Sequence, residues 1–485
     1  MSDLARTIDA LAGTQVLCVG DVILDRFVHG SVERISPEAP IPVLKVARQA
    51  TTLGGAGNVT ANLRALGCRP RFVSAVGDDE AGAAILRLLV EWELADDCQV
   101  STERRRQTSL KTRFIAGNQQ LLRADAETVA PIAAGTEDAV MAAIGAFLPD
   151  VAAVVLSDYG KGVLTDRVVR TIVGRARAIG RPVLVDPKGT DYRRYRGADV
   201  VTPNRKELSQ ATGLPVGTDE EVVAACRALI ERCEIGAVVA TRSEEGLSVV
   251  TAEGAVAHWP AQAKEVFDVS GAGDTVVATL TAALAAGAPL FDAAHLANLA
   301  GGIVVGKVGT AVLHPAELLS ALHQEEWRHN EEKVLTIEQA VERVERWRRR
   351  GHRVGFTNGC FDLLHPGHVH LLAQARGACD RLVVGINSDE SVKRLKGERR
   401  PVQTEAARAT VLASLATVDL VVIFGQDTPL ALIEALRPDV LVKGADYRVD
   451  QVVGADVVRA YGGRVMLAEL AAGHSTTATI ARING

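Results

Sequence analysis

Short runs of valine, isoleucine and leucine recur along the whole chain, apolar at nearly every position, with longer amphipathic stretches between them. They fall at residues 16–19, 154–156, 182–185 and 238–240, and again at 382–384, 420–423 and 440–442. A strand with one wet face alternates apolar and polar residues, whereas an unbroken apolar run needs cover on both faces. Strands of that kind separated by helical stretches form parallel sheets flanked by helices, so the fold class is α/β. The 44 glycines suit the many tight strand-to-helix turns of such a fold. With 485 residues the chain exceeds the roughly 250–300 that one hydrophobic core sustains, which predicts two domains. Residues 323–350 break the pattern with dense charge. Thr336 and Gln339 match a capping box, Ile337, Val341, Val344 and Trp347 share a helical face, and Gly351 can cap the end. The expected division is a first domain over 1–328, a charged linker and helix over 329–351, and a second domain over 352–485.

Several function classes are disfavoured. A net charge of −5 gives no footing for nucleic acid or a membrane surface. The apolar stretches near 279–290 and 301–308 are rich in alanine and glycine and read as buried helices. The first residues, MSDLARTIDALAG, carry early acids and no long apolar run, unlike a secretory leader. Seven scattered cysteines form no C-x-x-C pair, which argues against a zinc site or a disulfide framework. The expected location is the cytoplasm.

In the first half the most informative string is Asp268-Val-Ser-Gly-Ala-Gly-Asp-Thr275. Gly271 and Gly273 let successive N–H groups converge, and the following helix adds its positive end, which together suit a transferring phosphoryl group. Asp274 stands where it can take the proton of an attacking hydroxyl. A plain tight turn with Asp274 as cap fits the same residues; the whole string before a small-residue helix favours the anion site. Asn204-Arg-Lys-Glu207 follows an apolar strand and offers oxygen donors for a hard cation bound to phosphate, or simply a capping box. Asp21 and Asp25 end the first strand, and Gly54-Gly55-Ala-Gly-Asn58 opens a helix; carboxylates and an amide converging in one pocket suit a polyhydroxylated ligand. Ordinary turn chemistry is the alternative for Asp21.

In the second half, Thr357-Asn358-Gly359-Cys-Phe361-Asp-Leu-Leu-His365-Pro-Gly-His368 runs from a strand through a glycine turn to a helix start. Two histidines three apart at a helix N-terminus can donate hydrogen bonds to phosphate oxygens. A zinc pair is the rival reading, but no third ligand has suitable spacing. Lys393 and Lys396, with Arg399 and Arg400, form a basic loop.

The strings of the first half resemble the ribokinase-like sugar kinases over about 1–325. That resemblance implies Asp274 as catalytic base and Gly271, Ala272 and Gly273 as an anion hole. It also implies Asn204, Arg205, Lys206 and Glu207 at the ATP and Mg²⁺ site, with Glu207 reaching the metal through water, and Thr241, Arg242 and Gly246 in a nucleotide-side loop. The H-x-G-H string resembles the nucleotidyltransferase family that includes the cytidylyltransferases, with a Rossmann-like α/β fold over about 352–485. It implies nucleotide contacts at Thr357, Asn358, Gly359, Phe361, Lys393, Lys396, Lys443, Asp446, Ser475, Thr476 and Thr477. Many relatives carry Arg where this chain has His474. The order kinase–linker–nucleotidyltransferase resembles the bifunctional heptose enzymes of Gram-negative bacteria. It implies a homodimer, ATP in both halves, phosphorylation of heptose 7-phosphate at C1, and transfer of AMP to heptose 1-phosphate. A phosphorylated sugar needs cations at the far end of the kinase pocket, and Arg113, Arg123, Lys161 and Lys188 are available. Alternatives are the same two chemistries on another sugar phosphate, CTP in the second half, or a non-catalytic sensor.

Overall fold

Val16 and Cys18 of the strand Gln15–Gly20 enter one hydrophobic core, while Leu17 and Val19 enter another on the opposite face of the sheet. That is the physical meaning of an apolar run without alternation. Each such side chain contributes about 1.5–3 kcal/mol on burial, so a charge at Val19 would break a core outright. The same division occurs late in the chain, where Leu382, Val384 and Ile386 feed one core and Val383 the other.

The computed structural model describes residues 3–117, 119–262, 266–307, 309–445 and 447–469, without the side chains of 326–329. The chain divides into two compact units, Met1–Leu322 and His323–Gly485. The strands of the first are β1 (Gln15–Gly20), β2 (Val22–Ile35), β3 (Pro42–Gly55), β4 (Arg69–Gly77), β5 (Cys98–Glu103), β6 (Leu110–Ala116), β7 (Gln119–Ala126), β8 (Ala153–Ser157), β9 (Val183–Asp186), β10 (Val200–Val201), β11 (Ala237–Thr241), β12 (Leu247–Thr251) and β13 (Val256–Trp259). The main sheet runs β13-β12-β11-β10-β9-β8-β1-β4-β5. It is parallel apart from the antiparallel pairings of β12 with β11 and β13. Parallel order brings the carboxyl ends of β1, β8, β9, β10 and β11 to one edge, where α/β sheets bind ligands. Asp21, Asp158, Asp186, Asn204 and Thr241 lie at or just past those ends. A separate sheet, β3-β2-β6-β7, is built on the long hairpin of β2 and β3.

The helix Ala272–Ala285 is buried at every residue from Asp274 to Ala283. Its polar residues are accommodated by local bonds: Thr279 donates to the Thr275 carbonyl at 2.8 Å and Thr281 to the Val277 carbonyl at 2.7 Å. The helix starts at Ala272 with Gly271 (φ 79°) as its cap, so Asp274 sits inside the first turn rather than capping it.

The second unit carries β14 (Val334–Leu335), β15 (Val354–Gly359), β16 (Arg381–Asn387), β17 (Leu420–Phe424), β18 (Val440–Gly444) and β19 (Arg464–Ala468), in the parallel order β14-β17-β16-β15-β18-β19. Strand order reverses at β15, which places a ligand crevice at its carboxyl end. Residues 329–351, expected as linker and helix, supply β14 and the helix Ile337–Arg349, whose Ala340 and Val344 are buried in this unit's core. The Thr336–Gln339 capping box forms. Among the described residues no helix is long and apolar enough to cross a membrane.

Candidate active sites

Asp274 is the centre of the first site. Its carboxylate accepts from Asn58 Nδ2 at 2.7 Å and from the Tyr159 hydroxyl at 2.6 Å. Burial raises its carboxyl to about 6, against the pull of those two donors. Each oxygen keeps a lone pair for a further proton. Gly271 lies so close to Asn58 that a Cβ there would come within 2.7 Å of Nδ2, whereas one at Gly273 would meet nothing within 4 Å. The backbone of Gly273 therefore faces open space at a helix N-terminus, as an anion site requires. Asn62 ties the floor together: its amide donates to the Asn58 carbonyl at 3.0 Å, and its oxygen accepts from Thr275 Oγ1 at 3.2 Å.

The residues expected to bind sugar divide into several roles. Asp21 accepts three backbone N–H groups, from Tyr159 at 3.0 Å, Lys161 at 2.9 Å and Val163 at 3.0 Å, and so fixes the loop that carries Tyr159. Gly55 (φ 57°) offers no space, because a Cβ would meet the Asp21 carbonyl at 2.6 Å. Asn58 faces Asp274. Asp25 is buried and ion-paired to Arg113, whose guanidinium lies 5.2 Å from the Phe27 ring centroid. Arg123 pairs with Asp125 at 2.9 Å, Lys161 with Glu127 at 2.6 Å, and Lys188 with Glu207 at 2.9 Å. Lys111, which no sequence motif singled out, stands 5.4 Å from the Tyr159 ring centroid. Its ammonium is pulled below the usual range by burial, with Asp25 opposing.

On the nucleotide side, Asn204 and Glu207 form a reciprocal capping box at 3.0 and 3.1 Å. Thr241 is bridged to Asn204, so the two loops meet. Arg242 is buried, bonds Ser248 Oγ at 2.9 Å and pairs with Asp219 at 2.6 Å, while Arg205 and Arg242 share Glu245. Gly246 (φ 89°) is crowded by the Trp259 carbonyl, and Lys206 is exposed. Asp186 is a further residue here: half-buried at the end of β9, its carboxyl is driven well up by desolvation and then by Asp274 and Glu207. Its only signal in the sequence was an acid ending an apolar strand.

The second site is a cavity of about 710 Å³ at the carboxyl end of β15. Thr357, Asn358, Gly359, Phe361, His365 and His368 line it, and so do Lys396 and Lys443 on the other walls. His365 precedes the helix Pro366–Gly377, and the two imidazoles stack with centroids 3.8 Å apart. Burial, then the neighbouring His365, lowers His368 to about 4, so its ring is neutral at pH 7. Phe361 (φ 47°) sets its ring 5.1 Å from His368. Lys443 donates to the Asn358 carbonyl at 2.9 Å. Asp362 accepts from the backbone of Val402 at 2.7 Å and pairs with Arg400, holding the basic loop over the cavity. Lys393 is exposed and does not line the cavity. Asp446, Ser475, Thr476 and Thr477 lie outside the described residues.

Comparison with known proteins agrees with this division. Residues 13–317 match the pfkB family carbohydrate kinases, and residues 356–478 match the cytidylyltransferase-like family. The first unit shares its fold with ribokinase from Arabidopsis thaliana (TM-score 0.50, 19% identity) and with phosphofructokinase-2 from Escherichia coli (TM-score 0.53, 18% identity). Each similarity covers 64% of this chain and 99% of the other. Fold and sites thus define a bifunctional enzyme that joins a carbohydrate kinase to a nucleotidyltransferase. The chain is 61% identical to the bifunctional protein HldE of Paramagnetospirillum magneticum, over 100% of this chain and 99% of that one. It is also 61% identical to that of Rhodospirillum rubrum, over 99% and 97%. It belongs to the HldE family of bifunctional proteins.

Proposed function

We propose that the first unit phosphorylates D-glycero-β-D-manno-heptose 7-phosphate at C1 with ATP, and that the second joins heptose 1-phosphate to AMP from ATP. The observation that carries the first step is a buried carboxylate, Asp274, held by Asn58 and Tyr159 beside the open backbone of Gly273. The C1 hydroxyl oxygen attacks the γ-phosphorus, its proton passes to Asp274, and ADP leaves while the N–H groups at 271–273 receive the developing charge. Lys111, Arg113, Arg123 and Lys161 form the cationic end of the pocket that suits a 7-phosphate. Asp186 and Glu207 suit Mg²⁺: two hard oxygen donors, the first with its carboxyl pushed up by burial and then by its acidic neighbours, an unfavourable charge balance that a cation relieves, with phosphate and water to complete the shell. Bound there, Mg²⁺ supplies charge neutralisation for the phosphates.

In the second unit the nucleophile is a sugar phosphate, already anionic because its second pKa is near 6. Its oxygen attacks the α-phosphorus of ATP and the bond to the β-phosphate oxygen breaks, releasing pyrophosphate. No base is needed. His365 and the neutral ring of His368 donate hydrogen bonds, Lys396 and Lys443 add charge, and the cavity aligns the reactants. Asp446 and Ser475 to Thr477 complete this nucleotide site in the reading. The seven unpaired cysteines suit a cytoplasmic enzyme. Exposed Ile35, Ile41, Val46 and Leu122 on and beside the four-stranded sheet support a homodimer.

The test is mass analysis of products from heptose 7-phosphate and from heptose 1-phosphate, each with ATP and with CTP. A 1,7-bisphosphate and ADP-heptose are expected with ATP. Turnover only with a pentose or hexose phosphate, or only with CTP, would reassign the substrates, and an untouched triphosphate throughout would point to a sensor.

A further inference from the structure

The first unit holds a second cavity, of about 670 Å³, whose lining differs from that of the kinase site. Five of its ten lining residues are arginines: Arg170, Arg177, Arg193, Arg194 and Arg196. One wall is the helix Asp166–Ala178 and the other is the turn Tyr192–Tyr195 with the residues after it. On the helix, Arg170, Gly174 and Arg177 follow each other at spacings of four and three, so they share a face. Gly174 has nothing within 4 Å of where a Cβ would stand, which leaves a depression between the two arginines. Across it, Gly197 (φ 83°) closes the floor, since a Cβ there would meet Val173 at 3.3 Å.

The charges do not balance. Arg193 is occupied by Asp191 and Arg196 by Glu234, and Arg194 pairs with Asp158 at 3.3 Å and Asp166 at 3.5 Å. Arg170 and Arg177 have no carboxylate partner among the described residues. With the four acids that pair with them counted (Asp158, Asp166, Asp191 and Glu234), the five arginines leave a formal charge of +1, and the two guanidiniums without a carboxylate are Arg170 and Arg177. Like charges gathered round a concavity repel one another, and the arrangement favours an anion that can bridge them. The guanidinium forks of Arg170 and Arg177, both on the helix wall, match oxyanions that accept paired N–H bonds. Arg170 and Arg177 are about 10 Å apart along the helix axis, two turns at ~1.5 Å per residue, a span that one phosphate cannot cover and two linked phosphates can when the side chains converge over Gly174.

We infer that this cavity binds a diphosphate, either free pyrophosphate or the diphosphate of a nucleotide, at a site separate from both catalytic centres. The acids at its margins and its closed floor fit a small anion rather than a nucleic-acid strand.

The probe is inorganic pyrophosphate, measured by equilibrium dialysis on the full chain at fixed ionic strength, comparing wild type with R170Q/R177Q. Both positions are exposed, and Gln nearly equals Arg in helix propensity, so melting temperature should be unchanged. Wild type should bind one equivalent more than the variant, whose affinity at this site falls roughly tenfold or more per arginine. KM for ATP in both half-reactions, without added pyrophosphate, should be unaltered. The R170K/R177K variant keeps charge without the fork and should bind with intermediate affinity. Repeating the titration with ADP separates the sources: the same one-equivalent difference assigns the nucleotide's diphosphate, and no difference restricts the site to the free anion. Equal pyrophosphate stoichiometry in wild type and R170Q/R177Q overturns the inference, as does displacement of the extra equivalent by equimolar sulfate.

Discussion

Asp274 and His368 both stand in the first turn of a helix, and desolvation drives both toward neutrality, yet the consequences are opposite. The carboxyl rises to about 6, which leaves a base that is ionised at pH 7 and only slightly too weak to hold a proton there. The imidazole falls to about 4, which leaves a neutral hydrogen-bond donor with no part in proton removal near pH 7. The difference follows the substrates. An attacking hydroxyl must lose a proton, whereas an attacking phosphate has none to lose above its second pKa. One physical effect, burial, thus equips one chain for two displacements on a triphosphate with different proton needs.

The largest test of that contrast is Asp274→Asn. Removing a general base costs about 10²–10⁴ in rate, so kinase kcat should fall by that factor while nucleotidyl transfer from the same preparation is unchanged. Loss of both activities together would end the claim that the sites work independently. Next, His368→Ala should lower transferase kcat by roughly 10²–10³, the cost of one preorganised donor to a developing oxyanion, and leave the kinase intact. His365→Ala should follow it, since the rings stack at 3.8 Å and position one another.

The acid limb of the kinase sharpens the comparison further. Because Asp274 must be ionised, kinase kcat/KM should be flat above pH 7 and fall tenfold per unit below about 6. The Tyr159 hydroxyl bonds the ionised carboxylate and holds its pKa down. Tyr159→Phe should therefore move the limb upward by about one pH unit, with a loss of roughly fivefold at pH 6 that approaches tenfold below pH 5. A purely structural role for Tyr159 would lower kcat at every pH without moving the limb.

Much of this is legible in the sequence alone. Apolar runs without alternation marked sheets covered on both faces, and the strings around Asp274 and around His365 and His368 marked the two crevices, because glycine turns and helix starts are local features. What was not legible depends on contacts across the chain. Tyr159 and Asn58 meet Asp274 across sequence separations of 115 and 216 residues. Asp21 looked as fit for a sugar as Asp25 does; only the folded loop shows that its oxygens accept three backbone N–H groups. Their motifs assign Lys188 and Glu207 to different ligands, yet the two pair with each other. Lys111 carried no motif at all, because its position beside Tyr159 is a product of sheet pairing between β2 and β6.

The smallest effect is the one spacing could not foresee. Lys393 and Lys396 are three residues apart on the helix Asp389–Lys396, so by sequence they are equivalent. Only Lys396, in the last turn before Gly397 (φ 93°) redirects the chain, lines the cavity. Both are exposed, so water screens whatever each contributes. Lys396→Ala should raise transferase KM for ATP by roughly tenfold, the worth of one charge-assisted contact, with a steeper loss at low salt than at high. Lys393→Ala should change it by less than about twofold, as for a solvated helix face. Equal effects of the two substitutions would show that the basic loop acts through its overall field rather than through contact, and would move it out of the cavity's wall.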